Sequence, residues 1–490
     1  MKKKIKLVIL SVCLGLLSLS LHAQDMSTVM LDLSAAISLA RENSLQVFRA
    51  RNIFSAEYWA YRSFKANRLP SLSLSTSPAN YSKDFIRRYN SDLNIDTYRR
   101  QLSYFSDAKI NLQQNIDLTG GVVFVESGLN YLKNFGENDF QQYSSVPIKV
   151  GYQQDLVGYN QFKWEKRIAP LKYTQAERRF IYSVEENAEI TAQYFFDLAI
   201  AQSEYELAQE NLVNIDSILT IGKEKFKILS IEEADLLTLQ LDFMNAQNTI
   251  KTTNMELQRA MFALATNLNR HRDTHIKVIV PEPPKSLNIN EVDALRYARL
   301  NNPDIMEGKQ QVLTFQQIVE KTKIESRYSI GLFSTIGYNQ IGNTLSQSYS
   351  KPLQQIFASI SITVPILDWG VRRGNYNVAK NNLATTRLSA EETEIKIEKE
   401  VSMTLGDFSI QTGLIKTASK ALEISKKAYE QNKQRFMIGK TDISSLTLAN
   451  NRMQTAQRNY MIVLRSYWQN YFKLRKLTLY DFKENKPINL

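Results

Sequence analysis

The most regular pattern in the chain is a stepping of three and four residues between apolar or small positions. It runs through Ile190, Tyr194, Leu198, Ala201, Tyr205, Ala208, Leu212, Ile215 and Leu219. The rhythm returns at Leu236, Leu239, Phe243, Ala246 and Ile250, and again at Leu446, Ala449, Met453, Ala456, Tyr460, Val463 and Tyr467. Alternating steps of three and four form the seam of a left-handed coiled coil. They predict long paired helices that turn near Leu229-Ser230 and Gly439-Lys440, with the seam tyrosines as packing residues. A period of two replaces this pattern at Leu72, Leu74 and Thr76, and at Ile330, Leu332 and Ser334. The clearest strand is 357–366, where Ile360, Ile362, Val364 and Ile366 face one way and Ser359, Ser361 and Thr363 the other. One apolar and one polar face suit a barrel wall between lipid and water, and equally a sandwich strand. Ahead of the first strands, Leu33, Ala36, Ile37 and Ala40 form the stripe of an opening helix predicted to end near Leu69-Pro70.

These elements occur twice in the same order. The segment from Lys223 aligns without gaps on the segment from Lys433, pairing Phe226 with Phe436, Leu236 with Leu446 and Ala246 with Ala456. Nearer the start of each half, Ala40-Arg41-Glu42-Asn43-Ser44 matches Ala298-Arg299-Leu300-Asn301-Asn302, at a wider spacing. The first half therefore carries extra residues between its landmarks. They include 110–118, Thr119-Gly120-Gly121 and 122–125, which read as an additional hairpin around a Gly-Gly turn. Pro281-Glu282-Pro283-Pro284 breaks helix between the halves. The expected organisation is a signal peptide (1–23), a first repeat (24–280), a linker (281–286) and a second repeat (287–490).

The signal peptide is read from Lys2, Lys3, Lys4 and Lys6, the apolar run Leu7 to Leu21, and a cleavage point after Ala23. A lipid-bearing Cys13 is disfavoured, because Val12 stands where a small residue is expected. Cleavage after Ala23 removes the one cysteine, and with it disulfide, thiolate-metal and cysteine-nucleophile chemistry. The formal charge of +12 raises nucleic acid as a partner. Lys and Arg alternate with Glu and Asp along the long segments, however, which describes solvated helices, and no nucleic-acid partner is expected. Beyond the leader no apolar run approaches the roughly 18–20 residues of a spanning helix. An exported chain of this kind is periplasmic, secreted, or in the outer membrane as a β-barrel.

The Asn-rich turns Glu42-Asn43-Ser44 and Asn301-Asn302-Pro303-Asp304, the stretch Val364-Pro365-Ile366-Leu367-Asp368-Trp369-Gly370 before a long helix, and Arg435-Phe436-Met437-Ile438-Gly439 resemble the TolC-like outer-membrane efflux family. The resemblance covers nearly the whole mature chain. It implies an α+β membrane protein with two internal repeats: a homotrimeric outer-membrane β-barrel continued by a long periplasmic α-helical coiled-coil barrel. Members usually give four strands per protomer; this chain gives six if the extra hairpin joins the wall. The implied function is the exit channel of a tripartite efflux or type I secretion system. Its partners are outer-membrane lipid, a periplasmic adaptor and an inner-membrane pump, and neither catalysis nor a cofactor is part of it. The alternative is a periplasmic coiled-coil adaptor or scaffold without a pore.

By the same resemblance the helical tips meet the adaptor. The candidate contacts are Arg435, Phe436, Gly439, Lys440 and Asp442, with Lys225, Phe226 and Ser230 as first-half counterparts. The family often constricts its tunnel with an acidic residue just beyond the tip glycine. That position is Ser445 here and Asp235 in the first half, so these two are the candidate constriction. Trp369 and Tyr152 are candidates for an aromatic girdle. His271 and His275 have the spacing of a two-histidine metal face, but Arg272-Asp273-Thr274 between them lacks the zinc-protease glutamate, and no metal site is expected.

Overall fold

The computed structural model describes residues 29–91, 94–135, 139–228, 231–271, 274–283, 287–438 and 440–489, without the side chains of Arg88, Asn90 and Arg99. The expected signal peptide, and Gly439 and Ser230 of the tips, lie outside the described residues. In chain order, β1 (Val29–Leu31) precedes α1 (Leu33–Asn43) and α2 (Leu45–Ala66). Four strands follow, β2 (Ser71–Asn90), β3 (Ile95–Asn115), β4 (Val122–Phe135) and β5 (Phe140–Val157), then a helical hairpin of α3 (Gln161–Lys227) and α4 (Glu233–Asn267). The later half runs β6 (Ile276–Val278), α5 (Glu291–Asn301), α6 (Pro303–Glu325), β7 (Ser329–Gly342), α7 (Gln347–Ser350), β8 (Leu353–Thr363), α8 (Val371–Met437), α9 (Ile443–Thr478), β9 (Tyr480–Asp481) and β10 (Lys486–Pro487).

The opening helix is two helices, not one. Its stripe of Leu33, Ala36, Ile37 and Ala40 is buried as expected, and Asp32 caps it by accepting the Ala35 N–H at 2.7 Å. At Ser44 the backbone turns extended, and the Ser44 hydroxyl donates to Asn187 at 3.1 Å. The second half breaks at Asn302, whose side chain accepts the Asp304 N–H at 2.9 Å, with Pro303 opening α6. Proline suits a first helical position, where its missing N–H has no partner to lose. The two Asn-rich landmarks thus occupy corresponding helix breaks.

The chain divides into two compact units. One holds residues up to Asn52, Phe180–Leu300 and Glu398 onward. Its most deeply buried side chains include Phe195, Phe196, Leu198, Leu264, Leu268, Leu464, Leu474 and Leu477, from α3, the C-terminal end of α4 and α9. β1 lies parallel to β6, tying two chain segments of this unit together, and β9 pairs with β10 in a closing hairpin. Beside β9, Glu185 is almost fully buried and accepts from Arg475 Nε at 2.8 Å and from Arg41 at 2.6 Å. Arg475 also pairs with Asp481, which accepts the Tyr471 hydroxyl at 2.9 Å. Burial opposes charge on Arg475, but Glu185 outweighs it and raises the guanidinium pKa. Asp481 balances the same way: burial pushes its pKa up, and Arg475 with neighbouring donors brings it below the ordinary value.

The other unit, Ile53–Arg179 and Asn301–Ile397, is built on one sheet with strand order β2-β3-β4-β5-β7-β8. All its neighbouring pairs are antiparallel. Of the counts the sequence left open, four or six, the sheet has six strands, because the extra hairpin is part of it. Its turn falls where the Gly-Gly pair predicted. Gly120 adopts φ 79° and its N–H donates to Ile116 O at 2.8 Å. A Cβ there would stand 3.0 Å from the Asn160 side chain, which bonds the Asp117 carbonyl. Gly120→Val therefore combines left-handed strain with a clash. The expected cost is about 1–3 kcal/mol, read as a lower melting temperature. The final strand starts earlier and ends sooner than expected, at Leu353 and Thr363. Pro365 has no N–H for a ladder, so Val364 and Ile366 lie outside the strand. The next helix starts at Val371, just after Asp368 accepts the Gly370 N–H at 3.1 Å and Trp369 and Gly370 take positive φ.

Candidate functional site

Cross-strand register fixes which side chains share a face of the sheet. One face carries Leu72, Leu74, Ile110, Leu112, Val123 and Val125 on the first three strands. It continues through Ile148 and Val150 to Ile336, Leu332 and Ile330, and ends on Ile356, Ile360 and Ile362. These side chains are solvent-facing in the isolated chain: Leu72 is 71% exposed, Ile356 67% and Ile360 65%. An apolar surface of that extent marks an interaction surface for a protein partner or a membrane. Tyr152 lies on this face near the helix-joined end of β5, and Trp369 is 89% exposed beyond the end of β8.

The opposite face is polar. Glu126 and Lys149 pair across strands at 2.8 Å, beside Lys109, Asn111, Ser359 and Ser361. Phe124, Phe333 and Phe357 interrupt it in a row, with ring centroids about 6 Å apart. The Phe124 ring covers Gly151, whose missing side chain makes the room. The edge strands β2 and β8 each pair on one side only. Unpaired backbone along two edges cannot be satisfied in lipid unless another chain completes the ladder.

The helical tips belong to the other unit. The first hairpin turns between Lys227 and Glu233, the second between Met437 and Ile443, both as expected. Phe436 is buried with Tyr429, Leu446, Ala449 and Met453, so it holds the tip together and is not a free contact residue. Lys225 places its ammonium over the Phe436 ring at 5.3 Å, and Phe226 is half-buried. Arg435 and Lys440 are exposed, joined by the Lys440 N–H to Arg435 O bond at 2.8 Å.

Asp442 caps α9, accepting the Ser445 N–H at 2.8 Å. Bonds from Ser445 hold its carboxyl below the ordinary carboxylate range. Glu232 has the corresponding place before α4, and its longer side chain makes no cap bond. Asp235 is exposed in the first turn of α4, and among the described residues it makes no ion pair or side-chain hydrogen bond. Asp442→Ala is expected to fray the start of α9, seen as faster hydrogen exchange at Ser445 and Leu446. Because the folded pKa is depressed, the cap is present above the ordinary carboxylate value and lost as pH falls through the folded one.

Sequence reasoning missed the polar links behind the tip. Asn214 donates to the Tyr429 hydroxyl at 3.2 Å and accepts from Lys433 at 2.9 Å, while Asn450 donates to Asn211 at 2.7 Å. They border a hollow of about 580 Å³ that also meets Asp242 and Gln454. Burial, then Glu210 and Glu430, push the Tyr429 pKa up to about 12, keeping it a neutral bonding partner. The signal was asparagine beside an apolar seam, which fixes helix register in coiled coils. His271 and His275 follow the end of α4 at Asn267, so they share no helix face. No helix among the described residues is long and apolar enough to cross a membrane.

The chain thus combines a sheet apolar on one face and polar on the other with paired helical hairpins. Residues 294–478 match the family model described as outer membrane efflux protein, which bears out the resemblance over that part of the chain. The fold is shared along the chain with solved structures of low identity. The outer membrane channel CmeC of Campylobacter jejuni is 16% identical with a TM-score of 0.65, covering 93% of this chain and 86% of that one. The outer membrane protein VceC of Vibrio cholerae is 15% identical, TM-score 0.64, with 93% and 97% covered. A membrane protein from Pseudomonas aeruginosa is 15% identical, TM-score 0.65, with 91% and 90% covered. No curated protein matches the sequence.

Proposed function

We propose that this chain is the outer-membrane exit channel of a tripartite efflux or type I secretion assembly, receiving substrates from an inner-membrane pump. The observation that carries this reading is the two-faced sheet with open edges. Three copies of a six-stranded sheet close an eighteen-stranded wall, apolar outside and polar within. The helical hairpins continue the wall into a periplasmic tunnel, and the two halves act as repeats around it. Arg435, Lys440 and the capped turn at Asp442 meet a periplasmic adaptor, with Lys225 and Phe226 beside them. Asp235 and Ser445 line the constriction. A periplasmic scaffold without a pore has no use for an exposed isoleucine face.

Edge cross-linking tests closure. Single cysteines on β2 and β8, combined in one chain and scanned through registers, are expected to give dimer and trimer bands and nothing larger. An open ladder, or monomer at every register, would contradict the closed trimer.

A further inference from the structure

The hairpin of β2 and β3 outgrows the rest of its sheet. The β3–β4 ladder stops at Leu102 opposite Phe135, whereas β2 and β3 continue through seven pairs from Asp84–Gln101 to Asn90–Ile95. At about 3.3 Å per residue this free ribbon extends roughly 20 Å beyond its neighbours, at the end away from the helices.

The face it shares with the apolar band changes in order along the strands. Above the isoleucines and leucines comes a row of tyrosines, Tyr81 opposite Tyr104, then Tyr131 and Tyr143, with centroids 6.0 Å apart for Tyr104–Tyr131 and 4.8 Å for Tyr131–Tyr143. Above the tyrosines the same face carries Lys83, Lys133, Arg100 and Arg87, alternating with exposed Phe85, Tyr89 and Tyr98. Lys133 pairs with Asp139 and Arg87 with Asp96. No carboxylate among the described residues pairs with Lys83 or Arg100.

Apolar band, tyrosine row, then cations is the order of a membrane leaflet met from within: acyl chains, interface, phosphates. We propose that this face binds phosphorylated glycolipid headgroups of the outer leaflet, with Lys83, Arg87, Arg100 and Lys133 on the phosphates and the aromatic rings against the sugars. The assignment rests on the membrane reading above and adds a ligand to it. Arginine suits the task because its planar fork matches two phosphate oxygens at once. Continuity with the lipid-facing wall favours a lipid-borne phosphate over a free one.

The test uses the purified full chain reconstituted in phosphatidylcholine vesicles containing bisphosphorylated or dephosphorylated lipid A, followed by extraction and native mass spectrometry of retained lipid. Preferential retention of the bisphosphorylated form is expected, with at least a tenfold loss in the variant K83Q/R87Q/R100Q/K133Q. Lys109→Gln, on the polar face, should retain lipid as the unaltered chain does. Flotation with phosphatidylcholine vesicles is expected to be equal for all three proteins. Normal flotation with no preference for phosphate, equal retention by the quadruple variant, or full release by inorganic phosphate overturns the lipid site alone. Failure of the unaltered chain to float with any vesicle overturns the membrane reading itself.

Discussion

Replacing Arg475 with methionine is expected to lower stability by about 3–5 kcal/mol, the cost of stranding a buried charge. Glu185 is 1% exposed and receives two bonds from Arg475, at 2.8 and 3.2 Å. Arg41 remains as a partner, but its side chain is 38% exposed and shared with solvent. Asp481 loses its charge partner at the same time and keeps only Tyr471 and the Lys483 and Glu484 N–H groups. In a unit of this size the change corresponds to roughly 10 °C in melting temperature. Arg41→Met should cost distinctly less. A loss under about 1 kcal/mol would place the pair among ordinary exposed ion pairs. Acid gives an independent reading. With its folded pKa depressed, Asp481 stabilises above the ordinary carboxylate value of 3.8, and the contribution disappears as pH falls through the folded one. Without Arg475 that folded pKa rises, so acid unfolding of the variant starts at a higher pH.

Ile360→Lys carries the second large effect. Ile360 lies in the helix-side half of β8, opposite Leu332, on the apolar face. A lysine on a lipid-facing barrel wall costs up to about 2–4 kcal/mol, depending on depth, and membrane-inserted protein should fall accordingly. Ser361→Lys, one residue along and on the polar face, should insert nearly as well as the unaltered chain. Equal effects of the two would mean that the faces are not differently solvated. The same contrast separates a barrel wall from a soluble sandwich, in which both substitutions spare insertion because none occurs.

Much of this architecture was legible in the sequence because periodicity reports directly on which side is buried. The three-four seam marked the long helices, and the period of two at Leu72–Thr76 and Ile330–Ser334 marked strands of the sheet. Gly120-Gly121 marked a turn that requires positive φ. Other features depend on where distant segments meet, which no local pattern encodes. The Glu185–Arg475–Asp481 cluster joins residues from α3, the end of α9 and the closing hairpin. Phe436 was a candidate contact through the resemblance of its tip segment; packing from Leu446 and Met453 turns it inward. Asp442 was named for its charge at the tip, and its second role, the helix cap, shows only in the backbone geometry. The helix breaks at Ser44 and Asn302 were visible as polar landmarks, yet only their backbone geometry identifies them as breaks. The strand count followed from the same rule. The extra hairpin could be read from its residues, but its place in the sheet needed the register with β2 and β5.

Current through a planar bilayer tests the central claim most directly. Purified full-length protein, added to one side under voltage, is expected to produce discrete, uniform conductance steps. They should be lost when Ile360→Lys blocks insertion and kept when Ser361→Lys does not. Protein that inserts without any conductance, at every voltage and with the tip altered at Asp235, would contradict the account of this chain as a channel.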